Sequence, residues 1–492
     1  MNKMAKVMGF VFLLLISSFS VVVALDSSHY GNFELEAEQH WETYGVGGTC
    51  ISGTHNLATA DVDGDGVLEM VTGGFMYRYI EGSRTTTEAP LKIWSWNGQD
   101  VTLKANNSWS GNIGAVYAAD VDSDGLVEVI TAGNLINETG YFPSIRIWHC
   151  SNGELSLQTD YEGVSAGSIF VGDLDGDKVQ EIVTVGRMLK NSALTPQLCL
   201  WHYSGGNLTL VDTLELDVAN VRSANSVYAS DLNGDGNTEI ITAGYSGNLN
   251  NSKGQLCLWS WDGHEFTLEA NEQWQLVSDV YALTIAGQVQ GNTIVNNVKA
   301  SDTDGDGVNE VVTGGFAYDG EKINAQLRVW TWNGNALTLK DSKEWTTDYL
   351  TEVKCLALSD VDGDGKNEII TSGMVASKDS FANETAGHDR GQLKVWCFNG
   401  ANLTLENSVD WSIDDGACAW NVAAGDVDND GVTEIVTVGC IALGTLCDPD
   451  LRIWSLPQAE SFPYLIVFPA IVGVGLLVAV SVVYVRRRRQ IG

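Results

Sequence analysis

Positive charge is what this chain has least of: its 492 residues include 27 Lys and Arg against 63 Asp and Glu, a formal charge of −36. A surface so poor in cations cannot neutralise a phosphate backbone, which excludes nucleic acid as a partner. Histidine is also thin, with seven residues scattered along the chain and no zinc spacing among them. Catalytic signatures are nearly missing. Gly163-Val-Ser165-Ala-Gly167 fits the hydrolase elbow by formula, yet no strand-turn-helix pattern surrounds it, so the match is read as chance. The nine cysteines are an odd number, which leaves at least one without an intrachain partner. Cys440 and Cys447 bracket one loop and are the expected pair, while Cys199 and Cys257, just before Trp201 and Trp259, are expected as buried thiols.

What the chain does have is one acidic stretch repeated seven times. The first copy is Asp61-Val-Asp63-Gly-Asp65-Gly66-Val67-Leu-Glu69, and the copies begin at Asp61, Asp120, Asp173, Asp231, Asp302, Asp360 and Asp426. Carboxylates at positions 1, 3 and 5 converge only if the backbone curls tightly, and glycine at position 6 permits the left-handed turn. A carbonyl from position 7 and the carboxylate at position 9 complete six or seven hard oxygen ligands, which suits Ca²⁺. The expected ligand sets are Asp61, Asp63, Asp65, Val67 and Glu69; Asp120, Asp122, Asp124, Leu126 and Glu128; Asp173, Asp175, Asp177, Val179 and Glu181; and Asp231, Asn233, Asp235, Asn237 and Glu239. The last three are Asp302, Asp304, Asp306, Val308 and Glu310; Asp360, Asp362, Asp364, Lys366 and Glu368; and Asp426, Asp428, Asp430, Val432 and Glu434. Up to seven Ca²⁺ ions are therefore expected. The competing reading is a metal-free Asp-Gly turn, but four carboxylates in nine residues repel one another without a cation. Lys178 stands where the third copy needs glycine, so that site is expected to be the weakest; Asn233 in the fourth is a milder loss. An EF-hand is excluded, since position 12 is Thr72 and both flanks read as strands.

The ends of the chain point outward from the cell. Residues 1–24 read as a secretory signal, with Lys3 and Lys6 before an apolar run that ends at Val22-Val-Ala24; an uncleaved anchor is the alternative. Residues 464–485 carry no charge and are long enough to span a bilayer, and Arg486 to Arg489 follow, placing a short tail of residues 486–492 in the cytoplasm. Residues 25–456 are then an extracellular body and 457–463 a juxtamembrane linker. Six sequons, at Asn106, Asn137, Asn207, Asn250, Asn383 and Asn402, fit an exported glycoprotein.

Every acidic stretch runs into Glu-x-(Val/Ile)-Thr-x-Gly, then a variable stretch, then a strand ending in Trp94, Trp148, Trp201, Trp259, Trp330, Trp396 or Trp454. Most then turn at Asn-Gly or Asp-Gly into a fourth strand. Four antiparallel strands repeated seven times predict an all-β seven-bladed β-propeller. The last repeat lacks its fourth strand, and Phe33 to Trp41 matches Leu337 to Trp345, so the N-terminal strand is expected to close the final blade, with one C-terminal transmembrane helix beyond it. The equivalent tryptophans are expected to pack between sheets. An insertion is expected between Leu283 and Val298.

Over residues 26–456 the sequence resembles the FG-GAP and VCBS-type repeats, the propeller family that includes the head of integrin α-subunits. The resemblance rests on the acidic loop recurring in register, although literal Phe-Gly and Gly-Ala-Pro signatures are missing and every repeat keeps an acidic loop. It implies Ca²⁺ in the hairpins between first and second strands, and a role in adhesion or surface recognition of a protein or glycan ligand outside the cell. A polysaccharide lyase or hydrolase on a propeller scaffold, or a structural envelope component, are the alternatives. Loops after strands one and three share one face. The chain leaves that face for the membrane with only residues 455–462 between, a reach of about 25 Å, so the acidic face is expected to look toward the bilayer. The opposite loops, 75–90, 134–144, 187–197, 245–255, 316–326, 374–392 and 440–450, differ most among the repeats and are the expected ligand surface. In the first of them Tyr77, Arg78, Tyr79 and Arg84 form a basic-aromatic patch and are the candidate ligand contacts.

Overall fold

The computed structural model describes residues 33–40 and 49–456, apart from 81–82, 139, 191–192, 217–220, 249–250, 277–283, 286–287, 290–292, 379–388, 413–415 and 444–445. The expected signal, juxtamembrane linker, span and basic tail, and the sequons Asn250 and Asn383, lie outside the described residues. No helix among those residues is long and apolar enough to cross a membrane.

The described chain is all-β, and its strands pair antiparallel in groups of four. In chain order they are β1 (Glu34–His40), β2 (Thr49–Ala60), β3 (Glu69–Ile80), β4 (Ser83–Trp96) and β5 (Val101–Ala119), then β6 (Glu128–Asn137), β7 (Gly140–Ser151) and β8 (Glu154–Glu162). β5 is shared: its first half pairs with β4 and its second half with β6. The third group is β9 (Ser165–Gly172), β10 (Glu181–Lys190), β11 (Ala193–Ser204) and β12 (Asn207–Glu215); the fourth is β13 (Val221–Ser230), β14 (Glu239–Asn248), β15 (Asn251–Trp261) and β16 (Phe266–Trp274). In the expected insertion stands a small hairpin of β17 (Thr284–Ile285) and β18 (Gln288–Val289). The fifth and sixth groups run from β19 (Thr293–Ser301), β20 (Glu310–Tyr318), β21 (Ile323–Trp332) and β22 (Leu337–Trp345) to β23 (Leu350–Ser359), β24 (Glu368–Ala376), β25 (Arg390–Phe398) and β26 (Leu403–Trp411). The seventh has β27 (Gly416–Gly425), β28 (Glu434–Leu443) and β29 (Leu446–Ser455). Its fourth strand is β1, which pairs with β29 in the register Leu35 to Trp454. Phe33 sets its ring edge-on to Trp454 at 6.1 Å, and Ser455 Oγ donates to Glu36 at 2.6 Å.

The repeated Glu-x-(Val/Ile)-Thr-x-Gly segment has a separate job for each of its fixed residues. Its glutamate turns back into the acidic hairpin. Its threonine faces the next strand, where the indole of the repeat's tryptophan donates to Thr72, Thr131, Thr184, Thr242, Thr313, Thr371 or Thr437 at 2.9–3.3 Å. Those seven tryptophans are at most 5% exposed, and an indole N–H buried without an acceptor costs roughly 1–3 kcal/mol. The threonine removes that cost. The glycine is needed because a Cβ at Gly133, Gly186, Gly244, Gly315, Gly373 or Gly439 would lie 1.8–2.1 Å from a carbonyl oxygen of the first strand. That close approach coincides with a β-bulge in the first strand, which leaves His55, Gly114, Asn225, Asn296, Lys354 and Trp420 unpaired in the ladder.

Between groups, the aromatic ring ending one fourth strand packs on the next group's tryptophan: Trp109 on Trp148 at 5.2 Å, Trp274 on Trp330 at 5.0 Å, Trp345 on Trp396 at 4.9 Å and Trp411 on Trp454 at 5.0 Å. The tryptophans are therefore packing residues, as expected. First strands of successive groups also lie against one another, and β27 of the last lies against β2 of the first. Asn421 Nδ2 donates to the His55 carbonyl at 3.1 Å across that last junction, as Asn296 does to Val353 and Asn225 to Val295. All seven first strands line one cavity of about 480 Å³.

Two expectations are corrected here. The segments between second and third strands are mostly not loops but continuations of the strands: Arg187 to Lys190 pair with Ala193 to Pro196, and Asn134 to Asn137 with Gly140 to Pro143. Backbone pairing extends these hairpins into ribbons although their side chains alternate poorly. Cys440, moreover, stands opposite Cys418 across β27 and β28, with the two sulfurs 2.8 Å apart, a neighbour other than the expected Cys447, whose side chain lies outside the described residues. The Cys199 and Cys257 side chains are buried thiols whose pKa values burial pushes up, to about 11 and about 12.

Candidate metal centres in the acidic hairpins

Each acidic stretch joins a first strand to a second, and its hydrogen bonding is the same in all seven copies. The carboxylate at position 1 accepts the N–H of position 6 at 2.9–3.0 Å. The carboxylate at position 5 accepts the N–H of position 7 at 2.7–3.0 Å. The glutamate at position 9 accepts the N–H of position 2 through Oε2 at 2.9–3.1 Å. The hairpin is thus wound around its own carboxylates.

The winding needs two left-handed residues. Position 6 has φ between +72° and +92°, as expected, but position 4 is left-handed too, at Gly64, Ser123, Gly176, Gly234, Gly305, Gly363 and Asn429. Lys178 takes φ +72°. A side chain there is strained by roughly 1 kcal/mol. Lys178→Gly is expected to raise stability by about that amount in urea titration; an unchanged midpoint would remove the strain argument.

Oxygens gather at these turns. One from each of Asp120, Asp122 and Glu128 lies within 4.8 Å of the others, and the same holds for Asp61, Asp63 and Glu69, for Asp173, Asp175 and Glu181, for Asp302, Asp304 and Asp306, and for Asp360, Asp362 and Glu368. The position-9 glutamates are buried, none more than 8% exposed. Burial pushes Glu128, Glu181 and Glu368 up to about 7 and Glu434 to about 8, and neighbouring aspartates add to the rise. Asp122 Oδ1 is buried with no hydrogen-bond donor. Buried, acceptor-only oxygens that lack donors fit a hard divalent cation such as Ca²⁺.

Three copies differ in a way that spacing did not reveal. In the first, Lys104 reaches across from β5, and its Nζ lies 2.7 Å from Asp63, 2.8 Å from Asp65 and 2.8 Å from Glu69. Burial would lower the pKa of this ammonium, but its three carboxylate bonds outweigh that and raise it. In the fourth, Asn233 Nδ2 donates to Glu239 Oε1 at 3.1 Å. In the sixth, Cys397 Sγ donates to Glu368 Oε1 at 3.8 Å, so protein donors already meet the other oxygen of the glutamate in these three copies.

The hairpins also touch their neighbours. Lys366 Nζ donates to the Asp304 carbonyl at 3.0 Å, and Asn309 and Asn367 donate to the carbonyls of Asp231 and Asp302 in the preceding groups. A Cβ on Gly98 would lie 2.8 Å from Asp428 Oδ2, and one on Gly400 2.7 Å from Asp304 Oδ2, so the Asn-Gly turns need glycine to admit the adjacent hairpin.

Of the candidate ligand contacts, Tyr77 is described in side chain, whereas those of Arg78, Tyr79 and Arg84 lie outside the described residues. Tyr77 ends an aromatic row that starts at the cavity: Trp420 to His55 at 4.5 Å, His55 to Phe75 at 4.8 Å, Phe75 to Tyr77 at 4.7 Å. All four residues are half-buried. Lys354 sits 4.4 Å over Trp420, and burial pushes the His55 imidazole down to about 4. Neither Trp420 nor His55 stands out in the sequence, because the bulge position that aims them into the cavity also holds Gly114, Asn225, Asn296 and Lys354 in other repeats.

Comparison with models of known protein families gives no match, and comparison with curated proteins gives none either.

Proposed function

We propose that this chain is a seven-bladed β-propeller of the FG-GAP and VCBS type, exported and held at the cell surface by its C-terminal span. Ca²⁺ in the acidic hairpins stabilises it, and it binds a glycan or protein outside the cell. The seven matched four-stranded groups, the first strands meeting at one cavity and the N-terminal strand completing the seventh group support the propeller. Buried glutamates gathered with aspartate oxygens, and the donor-less Oδ1 of Asp122 among them, support the metal. The ligands would be the side-chain oxygens of positions 1, 3, 5 and 9, carboxylates except for the Asn233 amide in the fourth copy, with the position-7 carbonyl, and the ion would rigidify the hairpin; in the first copy Lys104 stands in for it.

The row Trp420, His55, Phe75 and Tyr77 carries the recognition reading. Rings in tilted and T-shaped contact and partly exposed give sugar faces or apolar side chains a surface to stack on, and partly exposed aromatics are the usual anchors of recognition surfaces. Its test is binding of the full chain, in lipid nanodiscs with Ca²⁺, to glycan and protein arrays. Retention of a ligand that Tyr77→Ala weakens at least about tenfold supports the reading. Release of cleaved products from a polysaccharide panel, without retention, would replace it with the polysaccharide-processing alternative.

A further inference from the structure

Three residues before each first aspartate, the seven first strands carry Ala58, Tyr117, Phe170, Tyr228, Lys299, Ala357 and Ala423. All but Phe170 line the cavity. Repetition alone would make this level symmetric, yet its bulk is all on one side. Tyr117, Phe170 and Tyr228 form an arc with ring centres 6.2 and 4.9 Å apart, and Lys299 Nζ continues it, 5.0 Å over the Tyr228 ring. The three alanines leave the other side open.

Lys299 is an unusual cation. No Asp or Glu lines the cavity. Lys354, the other lysine there, has Glu352 at 2.5 Å, whereas no carboxylate among the described residues is in ion-pair reach of Lys299. Its titratable neighbour is the Cys355 thiol, which burial keeps protonated and neutral, and burial lowers the pKa of the Lys299 ammonium. On the same face of β19, Asn297 Oδ1 is buried without a donor. A half-buried ammonium without a counter-charge is costly, and in a chain this acidic a carboxylate partner would have been easy to supply.

We infer that the cavity is a binding site for one small hydroxylated carboxylate, such as a sugar acid, with the carboxylate on Lys299. The aromatic arc offers the ligand's apolar face a shelf, the alanines make room for its ring, and Asn297 accepts from a hydroxyl. One lysine without a paired carboxylate, Lys354 being neutralised by Glu352, and no arginine match a single negative charge better than a phosphate dianion. The site is separate from the acidic hairpins, and the aromatic row leads away from it, starting at His55 and Trp420 in its wall.

The test is calorimetric titration of the full chain in detergent, at saturating Ca²⁺ and constant ionic strength, with sodium glucuronate and with glucose. Saturable one-to-one binding of glucuronate, with glucose at least tenfold weaker, is the expected result. Lys299→Met should weaken glucuronate at least about tenfold, the size of a charge-assisted hydrogen bond, without lowering the melting temperature. Ala423→Leu, which narrows the open side and leaves Lys299 intact, should weaken it too and serves if the lysine variant does not fold. No glucuronate binding, equal binding of glucose, or full affinity in a folded Lys299→Met protein would overturn the inference.

Discussion

Freed of divalent ions on a chelating resin at pH 8, the protein is expected to melt roughly 10–20 °C lower than with millimolar Ca²⁺, because each filled site adds up to about 4 kcal/mol at a thousandfold excess over its dissociation constant. The pH dependence makes the expectation specific. In the ion-free protein Glu128, Glu181 and Glu368 titrate near 7 and Glu434 near 8, all above their unfolded values. The folded state then holds protons that the unfolded state has released. Stability without metal is greatest below the unfolded glutamate value, about 4.5, and falls as pH rises toward 8. Ca²⁺ takes the place of those protons, so the gap between melts with and without the ion should widen steadily from pH 5 to pH 8. Two coincident curves, or a gap that ignores pH, would show the hairpins to be turns and nothing more.

Replacing Lys104 should convert one site from internal to external neutralisation. Its ammonium holds Asp63, Asp65 and Glu69 together at 2.7–2.8 Å. In Lys104→Met the three carboxylates face one another uncompensated, and breaking a partly buried ion cluster from one side costs about 3–5 kcal/mol. That loss is expected in ion-free protein and should largely vanish with Ca²⁺. Elemental analysis should then find one more ion per chain in the variant than in the parent. An unchanged ion count would mean that Lys104 only shares the hairpin with a metal.

The difference between these two experiments reflects what the sequence made legible. The hairpins, the strands beside them, the packing tryptophans and the return of β1 to the seventh group could all be read, because each is written locally and repeated. Lys104 could not. It lies 35 residues beyond Glu69, and Lys340, at the matching place in the fifth group, is exposed, so position alone does not decide the contact. The left-handed turn at position 4 was hidden for a related reason: Ser123 and Asn429 occupy it in two copies, which blurs the glycine pattern. The ribbons were read as loops because their side chains alternate poorly, while backbone pairing needs only two chains that continue side by side. Cys418 met Cys440 through strand register, which loop bracketing does not capture.

The pairing of β1 with β29 also fixes an order of assembly. Glu34 to His40 leave the ribosome among the first residues of the body, but their partners, Asp450 to Ser455, are among its last. Six groups can form as they are synthesised, while the seventh waits for both ends. Throughout that wait β1 is an open strand, and Glu34, Glu36 and Glu38 give it the charge that discourages pairing with the wrong edge. Any truncation of the last dozen residues of the body would therefore strand its first as well.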